Sequence, residues 1–291
     1  MGALRRQREV KPPLPAGLAG PACFPVGPRT RVRVTGPDRV RYLNGQLTRN
    51  AASINPREAL PALLLTAKGK IVAPVFAWSE GDAILLDSHP AIGEALLARV
   101  SRYAVADDVE FEDVSRDSCG WHVVGEIEGD PPGLLVPRTG LPGRDVPDQP
   151  AAFPVLPPAQ IECLRILAGT PEWGAELDPD TLPHEAGMDR HWVDFHKGCY
   201  VGQEVVSRVE SVGRTNRILR VFLGDFPPQP GLLLAAPDGA PAGTLTSAAP
   251  HFGLAGSAGL GYLNRRAEAT RFQVHDSTGK TLGECQIHEN S

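Results

Sequence analysis

The chain of 291 residues has no cysteine pair spaced to hold a metal. Its five cysteines are Cys23, Cys119, Cys163, Cys199 and Cys285, and the closest two, Cys163 and Cys199, stand 36 positions apart (199 − 163). That spacing excludes a zinc ribbon or a four-thiolate cluster carried by this chain alone. An odd count also argues against a disulfide framework and for a reducing compartment. No apolar run approaches the ~18 residues that cross a bilayer. The first 20 residues carry Arg5, Arg6, Arg8 and Lys11 without an apolar stretch, so they read as a tail or a short organellar transit segment, not a secretory signal. Lysine is scarce: Lys11, Lys68, Lys70, Lys197 and Lys280 are the only five among 29 basic residues, against 34 acidic ones. The resulting net charge of −5 gives no global attraction for nucleic acid, so RNA contact would need a local patch.

Common nucleotide and metal motifs are missing too. Lys68-Gly69-Lys70 lacks the flanking residues of a phosphate loop, with Leu64 and Ile71 where Gly and Ser or Thr belong. His184-Glu185 begins an H-E-x-x-H zinc motif that Met188 fails to close. His191 and His196, with Asp189 and Asp194 nearby, read as polar surface or channel residues, and no metal site is expected. There is no repeat of 20 to 50 residues.

What is present suits a globular protein of two or three domains: 42% apolar and 22% charged residues, with 31 Gly and 29 Pro favouring many short elements. Residues 30–34 alternate as a strand, and Pro37 opens a helix to about residue 47. Residues 59–66, 71–78 and 83–87 form an antiparallel meander, followed by helical spacing through Ile92, Leu96, Leu97 and Val100. Two short strands at 109–114 and 120–127 lead to a Pro- and Gly-rich loop. Helical spacing returns at 160–167 and after Gly202, residues 170–188 are irregular, and short strands after Gly213 predict a small β-barrel or sandwich.

One segment stands apart: Lys197-Gly198-Cys199-Tyr200-Val201-Gly202-Gln203-Glu204. It sets a thiol two residues from a cation, among glycines, where a helix begins. Lys197 and the free N–H groups of that helix end would both favour the Cys199 thiolate. Gly198 and Gly202 permit positive φ or close approach of a planar ligand. The same residues also fit a blander reading, in which Cys199 is a small buried hydrophobe and Glu204 with Arg208 an i,i+4 surface pair.

The string K-G-C-Y-x-G-Q-E resembles the signature of the YgfZ family of folate-binding proteins, relatives of the glycine cleavage T-protein that support iron–sulfur cluster assembly or maintenance. Tyr42-Leu43-Asn44-Gly45-Gln46-Leu47-Thr48, Leu65 to Lys70, Leu182-Pro183-His184-Glu185, Gly243 to Ser247 and Leu260 to Leu263 are similar to flanking family segments, so the resemblance covers roughly residues 25 to 290. It implies an α+β, T-protein-like ring of three units with a split folate-binding domain, a ferredoxin-like unit and a C-terminal β-barrel. The corresponding boundaries are a tail at 1–24, the folate-binding domain at 25–108 and 159–211, the ferredoxin-like unit at 109–158 and the barrel at 212–291. It also implies tetrahydrofolate or a derivative as cofactor.

Departures from the T-protein pattern narrow the function. Ala73 and Pro74 stand where that enzyme carries its catalytic Asp pair, so aminomethyl transfer is not expected. Leu167 replaces the pterin-binding Glu of R-x-E-A-G, leaving Glu185 as the substitute carboxylate. The resemblance thus implies a folate-binding accessory protein, not a conventional enzyme, that supports iron–sulfur cluster assembly or repair and, through it, tRNA modification. Cys199 and Lys197 are its chemically active residues. Glu185, Tyr200, Gly198, Gln203, Glu204 and Arg208 are its folate contacts. Partners are iron–sulfur client or assembly proteins, with a tRNA contact through Arg208, Arg214, Arg217 and Arg220, and with neither membrane nor DNA. The expected compartment is the cytoplasm, with the mitochondrial matrix as alternative. A folate-dependent one-carbon transferase is the competing function, needing Asp87, Glu185 or Asp194 as acid or base.

Overall fold

The computed structural model describes residues 17–115, 120–127, 129, 132–213 and 215–288. Arg214 and Cys119 lie outside the described residues, as does most of the expected tail. Strand β1 (Ala22–Pro25) is followed by β2 (Thr30–Thr35), where alternation buries Val32 and Val34 and turns Arg31 and Arg33 to the other face. Helix α1 (Arg39–Gln46) starts behind Pro37 and Asp38. The meander follows as β3 (Leu60–Leu65), β4 (Ile71–Glu80) and β5 (Ala83–Ser88), then α2 (Gly93–Ser101) and β6 (Glu110–Asp113). These strands make a five-stranded antiparallel sheet in the order β3-β4-β5-β2-β6. One face packs Val32, Leu64, Val75 and Leu86 against Leu43, Leu47, Leu96 and Val100 of the two helices and the turn after α1.

A second sheet comprises β1, β7 (Trp121–Val124), β9 (Gly143–Val146) and β8 (Leu134–Leu135), in that order. Helix α3 (Pro158–Leu167) lies between this sheet and the barrel: Leu164 packs with Ala22, Phe24 and Val124, while Cys163 and Ile166 pack with Leu219, Val221 and Leu260. After α4 (Asp189–Trp192) and α5 (Gln203–Val212) come β10 (Arg217–Asp225), β11 (Leu232–Ala235), β12 (Pro241–Pro250), β13 (Ser257–Asn264), β14 (Arg271–His275) and β15 (Thr281–Ile287). These six strands close into a barrel ordered β10-β13-β12-β11-β14-β15, as the strand-rich tail implied.

Two expected boundaries move. Residues 22–24 are no tail, because Ala22 and Cys23 are fully buried and β1 pairs with β7 along its whole length. The limit at 108/109 cuts through the first unit, because β6 pairs with β2 as the edge of the five-stranded sheet. The sheet expected to be ferredoxin-like takes its edge strand from the N-terminal segment and its helix from beyond residue 158.

The two sheets are joined by a buried charge cluster. Asp87 of β5, with no exposed side-chain surface, accepts from Arg29 (3.0 Å), Arg31 (3.4 Å) and Arg138 (3.0 Å). Arg138 also donates to Asp145, which lies 2.9 Å from Nδ1 of the buried His122. Burial lowers the pKa of His122 below its ordinary 6.5, and the contact with Asp145 opposes that shift without cancelling it. The unfolded chain therefore takes up a proton near pH 6.5 that the folded chain refuses, and this group's contribution to stability falls as pH drops through 6.5. We expect the denaturation free energy to fall between pH 7 and 5 more steeply in the parent than in His122→Gln. The difference is at most about 1.4 kcal/mol per pH unit, and equal slopes in urea titrations would refute this role.

Candidate functional site

The second face of the five-stranded sheet is covered by residues 173–206. Leu63, Leu65 and Ile71 pack there with Leu177, Ala186, Met188, Val193, Tyr200 and Val206. This layer is stitched to the turn after α1: Thr48 donates from its hydroxyl to Trp192 O (2.6 Å) and accepts from Leu63 N (2.8 Å), and Asp194 N donates to Thr48 O (2.9 Å). Arg49 donates to the His191 carbonyl.

Lys197 makes the central contact. Its ammonium donates to the carbonyls of Asn44 (2.6 Å), Leu47 (2.7 Å) and Arg49 (3.0 Å), using all three donors on the C-terminal end of α1. Asn44 O, in the last turn of α1, has no partner inside the helix, while Leu47 O and Arg49 O belong to the turn that follows it; a cation there also meets the negative end of the helix dipole. Burial pulls the Lys197 pKa down to about 8, with Asp194 opposing. The ammonium also lies 5.2 Å from the Tyr200 ring centroid. Lys197 is thus a clamp on α1, and no hydrogen bond joins it to Cys199, whose activation was expected from it.

Cys199 itself is exposed, whereas Cys23, Cys163 and Cys285 are buried, the last with its pKa raised by burial to about 12. It lies four residues before α5. Gly202 caps that helix at φ +88°, and a Cβ there would stand 2.6 Å from Thr66 O, while one on Gly69 would meet Val205 at 2.9 Å. The close approach that glycine allows is therefore taken by the β3–β4 turn. Gly198 has open space around it.

The six expected folate contacts do not share one surrounding. Glu204 and Arg208 pair with each other at 3.5 Å on the outer face of α5, with side chains 90% and 72% exposed. Gln203 is half-buried at the start of α5. Glu185, 8% exposed, pairs with Arg217 at 3.2 Å, and Arg217 stacks over Tyr262 at 4.1 Å. Tyr200 is buried, its pKa raised to about 12 by that burial, and its hydroxyl has no hydrogen-bond partner. Leu167 packs against barrel residues, and Arg165 beside it is held by the fully buried Glu176 (2.9 Å). Of the expected RNA strip, Arg208 and Arg217 are paired as above and Arg220 donates to Leu219 O (3.3 Å).

A cleft of about 460 Å³ lies instead between α5 and the barrel and is lined by none of the six. His184, Asp189, Glu210, Ile218 and Arg220 face it. Sequence reasoning missed this cleft and the Lys197 acceptors. Its residues come from separate elements, and backbone carbonyls carry no sequence signal.

No family model matches the chain. A chloroplastic protein of Arabidopsis thaliana, provisionally named a transferase, is 25% identical over 81% of this chain and 64% of its own length. The mitochondrial iron–sulfur cluster assembly factor IBA57 homolog of Phaeosphaeria nodorum is 26% identical over 65% of this chain and 52% of its own. Human mitochondrial IBA57, an iron–sulfur cluster assembly factor, is 28% identical over 68% and 65%. The chain spans about half to two thirds of the length of these relatives. The crystal structure of the glycine cleavage system aminomethyltransferase T from Bartonella henselae superimposes with a TM-score of 0.76 at 17% identity, covering 94% of this chain and 86% of that one. The fold is therefore the T-protein fold expected from the signature.

Replacing Lys197 with Met should leave three carbonyls, one in the last turn of α1 and two in the turn after it, without their cation. We expect a stability loss of about 2 kcal/mol, from the usual range for hydrogen bonds to charged groups, and faster amide hydrogen exchange in residues 43–49 and 197–203. Unchanged exchange in both segments would show that the clamp contributes nothing.

Proposed function

We propose that this chain, a relative of the YgfZ and IBA57 iron–sulfur factors on a T-protein fold, assists the assembly or repair of iron–sulfur clusters through Cys199. The observation that carries this reading is that Cys199 is the one exposed thiol among the described cysteines, presented by a loop clamped to α1. A thiolate is the soft ligand that iron of such clusters takes. Because a [2Fe–2S] cluster needs about four protein ligands, one sulfur holds it only together with a partner's ligands. The cluster is then cargo passing between this chain and an assembly or client protein. The effect on tRNA modification is indirect in this reading, arising from cluster-dependent modifying enzymes. The names of the IBA57 relatives favour the mitochondrial matrix over the cytoplasm as compartment. No helix among the described residues is long and apolar enough to cross a membrane.

The transferase alternative is weaker on chemical grounds. An acid or base must exchange a proton at the folate nitrogen, yet Asp87 is enclosed by three arginines and Glu185 is paired with Arg217. Asp194 accepts from the His196 amide at 2.9 Å. Folate enters as a property of the fold, not of these side chains. The carboxylate expected to face the pterin is paired with Arg217, Glu204 and Arg208 pair with each other on the outer face of α5, and no step of the proposed function passes through folate.

The Cys199→Ser chain should fold with an unchanged melting temperature and lose the ability to mature a cluster-dependent enzyme in an anaerobic reconstitution. Full activity in that variant would remove the thiol from the mechanism. A tetrahydrofolate titration of the parent and of Glu185→Gln should give the same weak response in both. Saturable binding that Glu185→Gln abolishes would instead assign the pterin to Glu185.

A further inference from the structure

We propose that His184, Asp189 and Glu210 bind one borderline divalent cation, of the Zn2+, Fe2+ or Mn2+ kind, at the wall of the cleft between α5 and the barrel. The three come from separate places: the irregular segment before α4, the first residue of α4, and the last turn of α5. One nitrogen or oxygen of each lies within 4.8 Å of the other two. All three line the same cleft of about 460 Å³.

The donors are built rather than merely close. The His184 side chain is only 9% exposed, and its buried Nδ1 has no hydrogen-bond partner. His184 Nε2 already stands 3.3 Å from Glu210 Oε2. Metal–ligand bonds of about 2.1 Å place tetrahedral ligand atoms about 3.4 Å apart, so this pair is at bonding separation for a shared ion. The widest gap has to close by at most about 1.4 Å on the same geometry, within reach of the Glu210 side chain, which is 51% exposed. The Asp189 carboxylate makes no hydrogen bond or ion pair among the described residues. A plain His184–Glu210 surface pair does not account for the Asp189 carboxylate that stands with it. One imidazole with two carboxylates selects first-row divalent ions over Ca2+ or Mg2+, and the open side toward the cleft leaves coordination positions for water or a ligand oxygen. The site shares no residue with the Cys199 reading.

The test uses the full chain, chelator-treated, in a Cys199→Ser background so that the exposed thiol contributes nothing. Calorimetric titration with Zn2+ should give one ion per chain. Asp189→Asn and Glu210→Gln should each weaken binding at least tenfold, with circular dichroism confirming that both fold. Zn2+ should raise the melting temperature of the Cys199→Ser chain and leave that of the double carboxamide variant unchanged. Absence of saturable Zn2+ binding, or equal affinity in the parent background and both variants, overturns the proposal.

Discussion

The position of Cys199 rests on one ammonium group. A helix end leaves its last carbonyls without partners, and an ammonium is a compact donor of three hydrogen bonds. Lys197 meets one of those carbonyls, Asn44 O, together with Leu47 O and Arg49 O in the turn after α1, and so ties the signature loop to the helix that packs on the first sheet. Arginine would not replace it, because a planar guanidinium is a fork suited to carboxylates and not to three converging carbonyls. In a chain whose basic residues are mostly Arg, this is a position where the geometry calls for Lys. Two residues further on, past the open space at Gly198, the thiol reaches solvent from a fixed base.

Guanidinium groups hold the joints between units instead. Arg138, Arg29 and Arg31 converge on Asp87 where the two sheets meet. Arg165 holds Glu176 between α3 and the barrel, with Ser247 and Thr246 donating to the same carboxylate at 2.6 Å. Arg217 holds Glu185 where residues 170–188 meet β10. Removing one partner of such a buried pair costs about 3–5 kcal/mol, so these carboxylates are committed to keeping the units together. The side chains that looked available for proton transfer in the sequence are structural for this reason.

The elements were legible where burial imposes a period. Alternation in β2, the apolar runs of β3 to β5 and the helical spacing of α2 and α5 each reflect one buried face, and all formed within a few residues of expectation. The Glu204–Arg208 pair was legible because i,i+4 neighbours on a helix are local. What sequence did not carry was partnership across distance. Lys197 was assigned to Cys199, its neighbour in the chain, yet its acceptors lie about 150 positions away. Residues 22–24 and β6 were misplaced for the same reason: a strand of four residues does not announce which sheet edge it joins. His184 was set aside because a linear motif failed at Met188, whereas the second carboxylate near it comes from α5.

The backbone it shares with T-protein makes the difference in chemistry a matter of side chains. At the β4 positions where the sequence resemblance places that enzyme's carboxylates, Ala73 is buried against the helices and Pro74 is paired across from Leu63. Neither side chain can exchange a proton. What this chain presents in its place is a sulfur that is accessible, rigidly based and the one exposed among the described cysteines. A lone thiolate satisfies about a quarter of a cluster's ligand demand, which makes holding a cluster unfavourable without a second protein and makes release simple once that protein supplies the remaining ligands. Accessibility without self-sufficiency suits a chain that handles clusters in transit, and it follows from the number of exposed sulfurs.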